Sequence, residues 1–421
     1  MIAMIPALLI GMSTVFQPPA APPENPNSVL VIGNRIRDYR RDLEACLARR
    51  CAPDEDIAAT MALAETLFLA GEYRVARTAL RDSIGRNGDE AARYPEPVSD
   101  LYRANSRVAR HLGMDRDASL STRQSLRALR AGLPVEDYRH FTVRLEIVES
   151  LIAFGQYDAA RRELSELAGR ARRAGRDDVA ETAQLRELWI DHLQTPHGSV
   201  RRRLTEMSQW TDRERQGLAI GAKMLLVRIY SEARETERAD ALLAELGRVG
   251  GHRQLVYNPP YQLAVQEIQG SLDRPGERFT ANPDTRTDPF RGTHLRAHSY
   301  NTVNRIPDNF ENKWIDVGFW VQPDGSVSDL QVVQRGGRAS GWEAPLMESI
   351  RERRYEPGQA AARTYRLERY TYTSAMDGRV TGTHLSTRSP RARLEYFDLT
   401  GATPGANNLL LSSPESRIPP S

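Results

Sequence analysis

The stretch WIDVGFWVQPDGSVSDLQVVQR, residues Trp314–Arg335, changes the hydrophobic rhythm of the chain. Ile315, Val317, Phe319 and Val321 alternate with Trp314, Asp316, Gly318 and Trp320, the period of two of a strand with one buried face. Pro323-Asp324-Gly325 supplies a hairpin turn, with Gly325 able to take positive φ, and Ser326–Arg335 returns as a second strand. A glycine-rich loop, Arg335–Gly341, leads to a helix over Trp342–Gly358 with Leu346, Met347 and Ile350 as its apolar stripe and Pro357-Gly358 as its stop. Thr364–Ala375 (TYRLERYTYTSA) alternates again as a third strand. Gly378–Leu385 and Pro390–Leu399 read as further strands, either of which can pair with the third and occupy its edge.

Upstream, residues 29–250 are rich in Ala, Leu, Arg and Glu, with apolar residues at helical spacing. AETLFLAGEYRVARTAL (Ala64–Leu80) recurs in outline as VESLIAFGQYDAARREL (Val148–Leu164). The matched positions are Gly71 with Gly155, Tyr73 with Tyr157, Ala76 with Ala160 and Leu80 with Leu164. HLGMDRDASLSTRQSL (His111–Leu126) falls halfway, with Gly113 at the turn and Ala118 after it, and a weaker copy at Arg228–Leu246 keeps Ala239 and Leu243. A fainter unit is expected around Gly198. This spacing implies a helix-turn-helix unit of roughly 40 residues, in the range of helical solenoids. Glycine permits the tight reversal, and alanine at the crossing lets two backbones approach.

The 421 residues carry 58 basic and 55 acidic side chains, a formal charge of +3, with 40% apolar residues. That balance argues against a nucleic-acid binder, which needs a basic excess, and against a polytopic membrane protein. Only Lys223 and Lys313 are lysines, so the positive charge is almost all arginine, either genome composition or a use for forked guanidinium contacts. The uncharged run Met1–Phe16 is short for a membrane span and suits a signal-peptide core or short anchor, although the usual basic start is missing. A Pro-rich spacer, residues 17–28, follows. Cys46 and Cys51, five apart beside Pro53, read either as a local disulfide stapling a helix end in an oxidising compartment or as two thiols. Nothing nearby in the sequence completes a metal set with them. Residues 251–303 read as a linker with one short helix at Tyr261–Gly270. The two histidines of HLRAH (His294–His298) have the i, i+4 spacing of zinc ligands, yet lack an adjoining Glu or a third ligand, and no metal or cofactor is assigned. Residues 401–421, rich in Pro, Ser and Asn, read as a disordered tail. No nucleophile elbow, phosphate loop or Cys–His pairing is visible, so no catalytic residue is assigned and the chain is read as a non-enzyme.

Gly71-Tyr73-Ala76 and Gly155-Tyr157-Ala160 resemble the turn pattern of the tetratricopeptide repeat family, with a period longer than that family's. The resemblance implies a concave scaffold for proteins or peptides. The C-terminal order of strand, Pro323-Asp324-Gly325 hairpin, strand, glycine loop and helix closing on Arg354-Tyr355-Glu356-Pro357 resembles the C-terminal domain of the TonB energy-transducer family. The expected fold is therefore multidomain: an all-α, tetratricopeptide-like solenoid over 29–250, then a small α+β domain over 304–400 with an antiparallel sheet and one helix. The second resemblance implies a periplasmic protein, exported or anchored in the inner membrane, with envelope protein partners such as outer-membrane transporters, no nucleic acid, and membrane contact only through an uncleaved N-terminus. In that family a partner segment adds to a sheet edge. By analogy the third strand would receive it, with Arg366, Glu368, Tyr370 and Tyr372 on one face, although these residues equally suit a face that a neighbour covers. The family's full-length anchor and its long periplasm-spanning segment are not evident. Two other readings follow: a true energy transducer whose N-terminus is mis-assigned, and an envelope hydrolase or glycan binder.

Overall fold

The computed structural model describes residues 28–153, 156–194, 198–212, 215–249, 255–258, 313–337, 341–357, 362–380, 386–400 and 410. It is mostly helical, with an antiparallel sheet near the C-terminus. Helix α1 (Ser28–Ala48) precedes helix pairs α2 (Pro53–Leu69) with α3 (Tyr73–Asn87), α4 (Pro95–His111) with α5 (Asp115–Gly132), and α6 (Tyr138–Ala153) with α7 (Tyr157–Arg173). The pairs α8 (Asp177–Gln194) with α9 (Gly198–Ser208) and α10 (Gln216–Glu232) with α11 (Thr236–Val249) complete the array. The first helices start at residues 53, 95, 138, 177 and 216, steps of 42, 43, 39 and 39. Each helix packs on its chain neighbour, and α2 also meets α4 as α8 meets α10, the contact pattern of a stacked array.

The reversals share one device. At the ends of α2, α4, α6 and α10, the N–H groups of Glu72, Met114, Gln156 and Glu235 donate to the carbonyls of Leu67, Ala109, Leu151 and Tyr230, five residues back, at 2.8–2.9 Å. This closure satisfies last-turn carbonyls and needs a left-handed residue just before the donor. Gly71 supplies it at φ +79°, and Arg234 adopts the same region at +59° without being glycine, which explains why the last copy lacks the expected glycine. The matched small and apolar positions lie inside: Ala76, Ala118, Ala160, Leu80 and Leu164 are fully buried, and Ala239 and Leu243 nearly so. Cys46 and Cys51 are joined as a disulfide at the end of α1, with Cα atoms 5.2 Å apart.

Strands β2 (Trp314–Val321), β3 (Val327–Gly336), β5 (Thr364–Val380) and β6 (Ser386–Asp398) form one antiparallel sheet in the order β3-β2-β5-β6. Helix α12 (Glu343–Arg351) covers one face, with Leu346 and Ile350 packing on Val317, Phe319, Val321, Tyr370 and Tyr372. This helix is shorter than the sequence implies. Arg354–Tyr355 leaves it to form β4, which pairs with β1 (Leu255–Tyr257), a strand inside the segment read as linker. The hairpin glycine packs against the same short strand, β4. Gly325 has φ +83°, and a side chain there would run into the Tyr355 carbonyl; the Tyr355 N–H in turn donates to the Gly325 carbonyl at 2.9 Å. The expected helix at Tyr261–Gly270 and the HLRAH histidines lie outside the described residues, as does Met1–Phe16. Within the tail, Leu410 is fully buried in the core formed by α2, α3 and α4, and its N–H reaches the buried Glu65 carboxylate at 3.3 Å, so the expectation of a disordered tail fails at this position. Among the described residues no helix is long and apolar enough to cross a membrane.

Candidate functional site

The sheet is built into the array rather than hung from it. Strand β5 organises the junction because its residues alternate between two covered faces. Leu367, Arg369 and Thr371 face the first helix pairs, while Glu368, Tyr370 and Tyr372 face α12. Among the described residues Arg369 is the largest fully buried side chain. Its guanidinium grips Asp316 through Nε and Nη2 at 2.6 and 2.8 Å, and donates to the carbonyls of Phe68 and Leu69 at 2.6 and 2.8 Å. Both carbonyls lie at the end of α2, where that of Phe68 also accepts from the Gly71 N–H at 3.0 Å, so an arginine of the sheet caps a helix of the array. Burial opposes its charge, but the Asp316 carboxylate outweighs that and raises its pKa. The same guanidinium lies 4.0 Å from the centre of the Trp314 ring, and that indole sits where a side chain on Gly71 would be.

Around this anchor the interface is aromatic, then ionic. Phe68, Tyr73, His111 and Phe397 form one ring cluster with centroids 4.8–6.3 Å apart. Thr371 Oγ1 bonds His111 Nδ1 at 2.8 Å and Tyr73 Oη at 3.0 Å. Burial here drives the His111 pKa down to about 3, helped by the nearby arginines 110, 369 and 107 and opposed by Glu395, so the imidazole is neutral. Beyond it, Glu395 meets Arg110 at 3.1 Å and Arg393 at 2.8 Å, and Arg393 meets Asp115 at 3.0 Å. Burial would raise the Glu395 carboxyl, but Arg110 and Arg393 hold it below its ordinary range.

The α12 face carries a second buried network. Arg353, 3% exposed, donates to Glu368 Oε2 at 2.6 Å, to Tyr370 Oη at 2.6 Å and to Asn258 Oδ1 at 2.8 Å. The Tyr370 hydroxyl donates to Glu368 Oε2, while Tyr396 and Tyr355 donate to Oε1 at 3.2 and 3.5 Å. Burial, and then the Glu368 charge, raise the Tyr355 pKa; burial also raises that of Tyr370, against the pull of Arg353. Asn258 follows β1, so this network also ties the sheet to the last helix pair, on which Val256 packs.

Against this geometry the residues read as a partner-binding strand find other roles. Arg366, Glu368, Tyr370 and Tyr372 do share a face of β5, but Glu368, Tyr370 and Tyr372 are 2–5% exposed and Arg366 is half-buried, 3.5 Å from Asp398. Both edges of β5 are occupied, by β2 and by β6. The third strand is therefore interior, and among the described residues the outermost strands are β3 and β6. Sequence reasoning missed Arg369, Asp316, His111 and Arg353. The available signal was Asp316 between Ile315 and Val317, the one charge in a strand otherwise apolar on both faces; Arg369, beside the charges of Arg366 and Glu368, carried no such contrast. Among the described residues one trio can converge on a metal ion: Cys46, Cys51 and Glu55. In comparisons with known proteins, no family model matches the chain and no curated protein matches it.

Proposed function

We propose that the chain is a protein-binding scaffold of the cell envelope, a tetratricopeptide-like array carrying a TonB-like sheet module that takes a partner's extended segment at a strand edge. The observation that carries this reading is the sheet order, which leaves β3 without a partner strand on its outer side among the described residues. An unpaired strand offers a ladder of donors and acceptors to an incoming strand. On β3, Leu330–Gln334 (LQVVQ) is an uncharged run whose Val333 is 46% exposed, bounded by Asp329 and Arg335. The neighbouring β2–β3 bulges and the left-handed Asp329 limit the edge to that run, as natural edges often are limited. The β6 edge carries Pro390, which lacks an N–H for a ladder. A disulfide between Cys46 and Cys51 fits an oxidising compartment such as the periplasm.

The test uses the full chain, because the sheet shares its core with the array. A photo-crosslinking residue at Val333 is expected to capture the extended N-terminal segment of an outer-membrane transporter in envelope preparations, and Val333→Lys in the uncrosslinked chain to lose co-purification. Crosslinks that arise only from array positions, with Val333→Lys silent, would remove the sheet edge from the function.

A further inference from the structure

The corner between α1 and α2 holds three donor atoms that the interaction reading leaves unused. Cys46 Sγ, Cys51 Sγ and a carboxylate oxygen of Glu55 all lie within 4.8 Å of one another. Cys46 lies in the last turn of α1 and is 4% exposed, Cys51 lies in the connection, and Glu55 belongs to the first turn of α2. The backbone holds them together: the Cys51 N–H donates to the Cys46 carbonyl at 3.1 Å, across Arg50 at φ +51°. Four residues separate the cysteines, within the spacing of chelating cysteine pairs. Zn–S bonds of about 2.3 Å in a tetrahedral shell set two thiolates about 3.8 Å apart. Rotation about the two Cα–Cβ bonds reaches that separation from Cα atoms 5.2 Å apart.

We propose that reduction of the Cys46–Cys51 disulfide converts this corner into a binding site for a thiophilic divalent cation such as Zn²⁺, with Glu55 as third ligand and water completing the shell. The reductant is a dithiol, which gives up two electrons and two protons and closes to its own disulfide while the S–S bond opens to two thiols. Each thiol loses its proton to solvent as its Zn–S bond forms. Glu55 is held 2.7 Å from Arg49 Nη2, so coordination replaces an exposed ion pair, which is weak in water. Arg49 and Arg50 beside the sulfurs favour the thiolates that the metal needs. The corner then joins α1 to α2 in either redox state, by a covalent bond when oxidised and by a metal when reduced.

The full chain is reduced with a phosphine, which takes its oxygen from water and leaves two protons on the sulfurs, and is then desalted without air. Co²⁺ alone is the first probe, read through the thiolate-to-cobalt charge-transfer band, and Zn²⁺ affinity follows by competition with a chromophoric chelator. One Co²⁺ per reduced chain is expected, with no band on the oxidised chain. Cys46→Ser and Cys51→Ser each abolish the band, and Glu55→Gln weakens Zn²⁺ binding by roughly tenfold or more while keeping sulfur-to-cobalt absorption. Circular dichroism of each variant checks that the helices persist. A reduced wild-type chain without the band overturns the proposal. So does a band that survives both serine variants, or Zn²⁺ affinity untouched by Glu55→Gln.

Discussion

Replacing Arg369 with methionine isolates the junction between array and sheet. Methionine keeps an unbranched stem against Trp314 and removes five N–H donors. Asp316, 4% exposed, then keeps a buried charge without its guanidinium, a change that costs about 3–5 kcal/mol. The Leu69 carbonyl loses its charged donor as well, at about 1–3 kcal/mol if no water replaces it, while that of Phe68 keeps the Gly71 N–H. These losses share one side chain and do not add in full, so a net loss of about 4–6 kcal/mol is expected, a large part of the roughly 5–15 kcal/mol that holds a typical domain. Urea unfolding followed by circular dichroism measures the loss. Hydrogen exchange locates it: amides at the end of α2 and start of α3 should exchange faster together with those of β5. The partner variant Asp316→Leu on the Arg369→Met background should recover part of the loss, because two apolar residues leave no buried charge. A loss below about 1 kcal/mol, or faster exchange confined to the sheet with the α2–α3 turn unchanged, would refute the claim that Arg369 caps the array.

Three further outcomes follow from the same geometry. His111 is held neutral in the fold, against an ordinary pKa near 6.5, so its contribution is complete above pH 6.5 and is lost as pH falls from there toward about 3. Thermal unfolding at pH 7 and pH 5 should differ by up to about 2 kcal/mol from this group, and His111→Asn should flatten that difference, since carboxylates held down by their partners, such as Glu395, titrate lower. Gly71→Ala meets both a left-handed φ and the Trp314 indole, whereas Gly175→Ala meets φ +67° in open space. Chemical denaturation should show about 1 kcal/mol lost at Gly175 and at least about 2–3 kcal/mol at Gly71. Intact-mass analysis after alkylation should leave Cys46 and Cys51 unmodified until reduction, and the paired serine variant should lose about 2 kcal/mol, as expected for so short a loop.

The arginine excess in the composition acquires a specific use in this setting. Arg369 spans a carboxylate and two carbonyls, and Arg353 reaches a carboxylate, a phenol and an amide. A lysine ammonium, compact and strongly hydrated, cannot span either set. Arg335 and Arg363 make partly exposed ion pairs with Glu343 and Asp329 by contrast, and the composition alone could not separate the two groups.

Local chemistry was legible wherever it is set by near neighbours. The helical period over 29–250, the turn glycines at Gly71 and Gly113, the crossing alanines, the Pro323-Asp324-Gly325 hairpin and the alternation of β2 and β5 follow from backbone sterics and from the need of each element to bury one face. Even the clustering of Arg366, Glu368, Tyr370 and Tyr372 on one face is a consequence of strand geometry. What that face meets is not local. Whether β5 is an edge or an interior strand depends on β6 returning alongside it, and whether its other face sees water depends on α2, α3 and α4, some 300 residues earlier in the chain. The length of α12 was likewise settled by β1 claiming Arg354–Tyr355 as a strand. Pairing of buried charges is decided by which segments meet, because a guanidinium and the carbonyls that it caps have no signature at fixed sequence spacing.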